Sequence, residues 1–197
     1  MSLDQPAGRL PDHPVAPQFP NRWSPRSFTE RQVSEAEVMS LLEAARWAPS
    51  ASNHQPWRFV WALRDEAAFA AIRDSLIGNN PLWAGKAAAL FAVASKDTTT
   101  NRHGVEVANH TAGFDTGAGW MSLALQAQEM GLFAHAMGGF DKDRLAAAIH
   151  LPEGHTLHCV VAVGEQGPAD ALPEGLRERE RPSSRKPVGE FALRGRF

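Results

Sequence analysis

The run Leu157–Val163 is β-branched and apolar over most of its length and reads as a strand buried on both faces. Such a strand needs a packed layer above and another below it, so the chain is expected to build a three-layer domain with helices on both sides of a sheet. Ala88–Ser95 reads as a second buried strand, although its alanines leave a helix open. Trp57–Leu63 places large apolar groups at alternate positions, and Phe133–Met137 is a further strand candidate. Helical patterns lie between them. Ser34 and Glu37 form a capping box ahead of Val38, Leu41, Leu42 and Ala45, and Pro49 closes that helix. Asp65 is expected to cap a helix carrying Phe69, Ile72 and Leu76, and Asp141 one over Lys142–His150. A long helix is predicted over Glu106–Met130, stopped by Gly131. Alternation of this kind makes the class α/β or α+β, with the strand directions open.

At 197 residues the chain is long enough for one domain with a full core. Twenty Lys and Arg against 22 Asp and Glu give a net charge of −2, so no whole-chain basic field is available for nucleic acid or an anionic membrane. The longest apolar run, Ala87–Ala94, is far short of the ~20 residues a bilayer requires. The single cysteine, Cys159, excludes an internal disulfide framework, and that usage leads to the expectation of a reducing cytoplasm. Residues 1–20 hold five of the 14 prolines and are expected to form an extended arm without regular structure, ahead of one domain over 21–197. From about residue 168 that domain continues as a proline-rich, basic extension.

Several familiar chemistries lack their residues. There is no phosphate loop ending in Gly-Lys-Ser, no Gly-x-Gly-x-x-Gly between a strand and a helix, and no Gly-x-Ser-x-Gly elbow. His103, Glu106 and His110 would share one face of the long helix, the basis of a metal-dependent hydrolase reading. Their spread over two turns, about 10 Å, suits one ion poorly. The long helix also carries Gly113, Gly117 and Gly119, each costing about 0.5–1 kcal/mol against alanine. Close approach of another backbone, such as the same helix of a second copy, accounts for them; a locally broken helix is the alternative.

Three segments carry more than background. Arg22-Trp23-Ser24-Pro25-Arg26 offers two guanidinium forks and a hydroxyl, a donor set that can surround a phosphate dianion, although a solvated basic loop has the same composition. Pro49-Ser50-Ala51-Ser52-Asn53-His54-Gln55-Pro56-Trp57 is a loop of small and amide residues that can meet the edge of a planar polar ring, although a plain turn has the same composition. Arg177–Lys186 holds five basic residues against two acidic ones, either a mobile basic tail or a second hand on the same phosphate.

In this order the segments resemble the nitroreductase family of FMN-dependent oxidoreductases. The resemblance rests above all on Pro-Ser-x-x-Asn-x-Gln-Pro-Trp at Pro49–Trp57. It is supported by Arg22–Arg26, by Gly131-Leu132 leading to Met137-Gly138-Gly139-Phe140-Asp141, and by Arg185-Lys186-Pro187. It spans about residues 20–191. It implies an α+β three-layer sandwich with a mainly antiparallel central sheet, intertwined as a homodimer with two FMN sites at the interface. By resemblance, Arg22, Trp23, Ser24, Arg26 and Arg185 hold the phosphate and ribityl end. Pro49, Ser50, Ala51 and Asn53 reach the partner's flavin, with Ala51 standing where serine is common. Asn80 faces the pyrimidine edge, and a backbone amide of Gly138 or Gly139 faces flavin N5.

The implied activity is ping-pong hydride transfer from NADH or NADPH, through FMN, to a small acceptor such as a nitroaromatic, quinone or enone. No side-chain acid or base is required, and no metal. An FMN-binding protein of the same fold with little turnover is the alternative.

Overall fold

The computed structural model describes residues 9–197. In chain order it contains helices α1 (Gln18–Asn21) and α2 (Glu35–Arg46), strand β1 (Trp57–Leu63), helices α3 (Ala67–Arg73) and α4 (Pro81–Ala84), and strands β2 (Ala89–Lys96), β3 (Thr98–Thr100) and β4 (Glu106–Ala108). There follow α5 (Ala112–Glu129), β5 (Phe133–Met137), α6 (Lys142–Ala148), β6 (His155–Gly164) and the single-turn α7 (Glu174–Arg177).

The main sheet has the order β1-β2-β6-β5, and every neighbouring pair is antiparallel. This settles the direction that periodicity left open, because connections through helices can return a strand either way. The two central strands show why three layers form. Leu90, Ala92, Val160 and Ala162 face one core with Phe69, Ile72, Trp83 and Leu145. Ala89, Phe91, Val161 and Val163 face the other, with Val38, Leu41, Leu123 and Ala127. Successive side chains of a strand point to opposite faces, so two apolar faces require two covers. Here α3, α4 and α6 form one and α2 packed on α5 the other.

The capping box forms as expected: Ser34 Oγ accepts from Glu37 N at 3.2 Å while Glu37 Oε2 accepts from Ser34 N at 2.8 Å. Asp141 caps α6 through Arg144 N, and that helix ends at Ala148 rather than His150. Three expectations are corrected. The long helix starts at Ala112, not Glu106, because residues 98–108 fold back as the β3–β4 hairpin. Its turn is made by Gly104 at φ +75° and by Asn101, whose Oδ1 accepts from His103 N and Val105 N. Helix α3 is preceded by Glu66, not Asp65, and without a side-chain cap; Glu66 Oε2 accepts from Leu63 N instead. Within the proline-rich start, Gln18–Asn21 forms one helical turn, residues 9–17 form no regular element of their own beyond its first turn, and residues 1–8 lie outside the described residues. Among the described residues no helix is long and apolar enough to cross a membrane.

Candidate functional site

The Arg22–Arg26 loop runs from the end of α1 to an isolated bridge between Phe28 and Gln166. It is stitched from below: Thr29 N donates to Glu165 O, Gly167 N to Ser27 O, and Ser27 Oγ to Pro168 O at 2.6 Å. These bonds lay the loop beside the chain's last segment. Arg22, Trp23, Ser24 and Arg26 then wall a cavity of about 330 Å³ together with Arg185. Arg179, Arg181, Ser183 and His135 complete the wall; the first three lie in the stretch expected to be either a mobile basic tail or a second hand on the phosphate, and only His135 is not singled out. A hint for Arg179 and Arg181 was present in the basic count of 177–186. His135 had no signal, because its place depends on β5 sitting at the sheet edge beside Pro25.

Charge is concentrated here. Burial and the neighbouring Arg185 lower the Arg22 pKa, and burial with Arg185 and Arg22 lowers that of Arg9. Buried Arg9 Nη1 has no hydrogen-bond partner among the described residues. Like charges pressed together and a spare donor form a site suited to an anion with several acceptor oxygens. Arg22 Nη1 donates to Ser24 Oγ at 3.3 Å, and Arg185 Nη1 to Ser183 Oγ at 2.9 Å. His135 donates from Nδ1 to Pro25 O at 2.9 Å, its ring lies tilted with its centroid 4.6 Å from that of Trp83, and burial chiefly lowers its pKa.

A larger cavity of about 1010 Å³ adjoins the small one and shares Arg22, Ser24 and Arg185 with it. Trp120 and Met121 of α5 and Ala136 of β5 line it, with residues 9–15 of the arm and Val188 and Phe191 of the tail on other sides. Asp12 accepts from Val188 N at 3.0 Å, which joins arm to tail. The arrangement pairs an anion pocket with an adjoining, partly apolar chamber of ligand size.

Pro49, Ser50, Ala51 and Asn53 line neither cavity. Their loop is tightly shaped and outward-facing. Ser52, Asn53 and Gln55 all have φ between 49° and 57°, the left-handed region. Ala51 N donates to buried Asp115 Oδ2 at 3.1 Å, Gln55 N to Ser50 Oγ at 3.0 Å, and His54 Nδ1 meets Thr99 Oγ1 at 2.8 Å. Asn80 and Gly139 come together, with Asn80 Nδ2 donating to Gly139 O at 2.9 Å. A Cβ on Gly139 would lie 2.8 Å from that nitrogen, whereas one on Gly138 would enter open space.

The metal reading has no geometric support. His103 lies in the β3–β4 turn, Glu106 bonds Thr98 Oγ1 and approaches Lys96, and His110 follows the hairpin, so no helical face unites them. Among the described residues no three His, Cys, Asp or Glu side chains are grouped to hold a metal ion. Cys159 is pushed up to about 11 by burial, which makes it a packing thiol rather than a nucleophile.

Comparison with known proteins agrees with this geometry. Residues 20–82 and 77–165 match the nitroreductase family. An NADH dehydrogenase of Thermus thermophilus is 30% identical over 182 residues, 77% of this chain and 88% of its own. An uncharacterised 15.4 kDa protein of Mycolicibacterium smegmatis is 38% identical over 87 residues, so that this chain spans 58% of its length. A crystal structure described as an oxidoreductase containing FMN is 41% identical, covers 100% of this chain and 98% of its own, and superposes with a TM-score of 0.94.

Proposed function

Because the chain belongs to the nitroreductase family, we propose that it is an FMN-dependent oxidoreductase that uses NADH or NADPH to reduce a small acceptor such as a nitroaromatic, quinone or enone. The observation that carries this reading is the arginine-walled cavity opening into a larger chamber, in a chain 41% identical to an FMN-containing oxidoreductase. FMN fits the residues present: its phosphate matches the crowded cations and the spare Arg9 donor, and its ring needs the partly apolar room beyond. When bound, FMN would supply the hydride-transfer chemistry between nicotinamide and acceptor.

The chain's own task is to bind and orient. Arg22, Arg26 and Arg185 neutralise the phosphate, and Ser24 offers a hydroxyl beside Arg22. Trp23 closes one wall, braced edge-on by Phe133. Asn80 steadies the Gly138–Gly139 segment through Gly139 O, and the backbone amides of that segment would serve the flavin ring. Holding reactants in contact geometry replaces a bimolecular encounter by a positioned one, worth several kcal/mol.

The loop Pro49–Asn53 serves a second copy in this reading, which makes the working unit a homodimer. Two features support it: the loop faces outward, away from the arginines, and Phe114 of α5 is 84% exposed beside Gly113 and Gly117.

The test is spectroscopic. The purified protein is expected to be yellow, to lose its visible flavin band on adding NADH or NADPH without oxygen, and to regain it with a quinone or nitroaromatic. Flavin that neither nicotinamide bleaches would identify a binding protein without turnover, and absence of flavin binding would overturn the reading altogether.

A further inference from the structure

Glu180 stands out as a buried carboxylate in the middle of the cationic segment. Its neighbours Arg179 and Arg181 line the small cavity, while its own side chain is only 1% exposed. A carboxylate is costly to bury and, beside an anion site, repels the ligand the site is built for. Its bonds suggest what offsets that cost. Oε1 accepts from Arg26 N at 2.6 Å and from Ser27 N at 2.8 Å, across more than 150 residues of chain. Oε2 lies 3.5 Å from Arg26 Nη1 and has no hydrogen-bond partner of its own among the described residues.

The two amides belong to a stretch outside helix and strand, so no ladder satisfies them; Glu180 does. It thereby ties the loop bearing Arg22, Ser24 and Arg26 to the segment bearing Arg179, Arg181 and Arg185. Five guanidinium groups around one cavity repel one another, and a fixed acceptor between the two segments opposes their separation.

We propose that Glu180 is a positioning residue for the phosphate end of the cofactor site, and that discrimination of FMN from riboflavin depends on the reach of its carboxyl to the Arg26 and Ser27 amides. The proposal rests on the reading that the FMN phosphate occupies the arginine cavity. Glu180→Asp keeps the charge and shortens the reach, whereas Glu180→Gln keeps the reach and removes the charge.

Both variants and the parent protein, freed of flavin by dialysis, are titrated with FMN and separately with riboflavin, following quenching of flavin fluorescence. Glu180→Asp is expected to weaken FMN binding by about tenfold, the effect of losing buried hydrogen bonds to a charged group, and to leave riboflavin binding unchanged. Glu180→Gln is expected to bind FMN at least as tightly as the parent. Equal weakening of both flavins by Glu180→Asp, no weakening of FMN, or a Glu180→Gln variant as weak as Glu180→Asp would each overturn the proposal. A parent protein that binds FMN no more tightly than riboflavin would instead overturn the phosphate assignment on which it stands.

Discussion

Arg22 is half-buried and bonded to Ser24, and burial first and the neighbouring Arg185 second lower its pKa. A guanidinium in that position gains most from a dianion, because the ligand relieves both the desolvation and the repulsion. The double substitution Arg22→Ala with Arg185→Ala is therefore expected to lower FMN affinity on the order of a hundredfold, since charged hydrogen bonds are worth about 1.5–3 kcal/mol each. Equilibrium titration against the parent protein checks it, and unchanged flavin occupancy would refute the assignment. Arginines beside a serine are by themselves most often a solvated basic loop, and it is the resemblance spanning residues 20–191 that singles these out. His135 and Glu180 were not legible in the sequence. A histidine in a strand and a glutamate among arginines have ordinary explanations until the fold brings Pro25 and Arg26 against them.

Among the elements, the loop between α2 and β1 shows how a helix elsewhere can hold a strained turn. Three non-glycine residues in the left-handed region cost of order 1–3 kcal/mol each, and something outside the loop must hold them. Asp115, 3% exposed on α5, does so by accepting from Ala51 N and from Thr111 Oγ1. Asp115→Ala is expected to destabilise the protein by about 1–3 kcal/mol, read from urea unfolding, because the Ala51 amide and the Thr111 hydroxyl lose their shared acceptor. Retained stability would show that the loop holds its shape unaided. The element misread from sequence, the start of α5, shows the limit of local pattern. Thr98–Thr100 and Glu106–Ala108 pair antiparallel over three residues, Thr98 opposite Ala108 and Thr100 opposite Glu106, closed by a turn built on Asn101 and Gly104. Three-residue strands carry too few residues to display a period.

For the whole molecule, α5 is the informative surface. Gly119 is used within the chain, where a Cβ would lie 3.6 Å from Ala45 O and the Trp57 ring; Gly117 faces open space, with nothing within 4 Å of a built Cβ. Gly117→Leu should therefore fit a lone chain, and should stabilise its helix by about 0.5–1 kcal/mol. In a homodimer packed through this face the same side chain would hold the copies apart. Sedimentation is expected to find a dimer for the parent protein and a monomer for the variant, with helical circular dichroism retained. A variant that stays dimeric would place the interface elsewhere. The sequence by itself determined the two-sided core, the capping box of α2 and the Asp141 cap of α6, because these depend on neighbours a few residues away. Local pattern left the strand directions open, and the antiparallel order and the meeting of residues 22–26 with Arg185 were implied only through the family resemblance; tertiary structure alone decided the burial of Glu180 between the two segments. Its contacts span more than 150 residues, and no local preference records which distant segment will supply a partner.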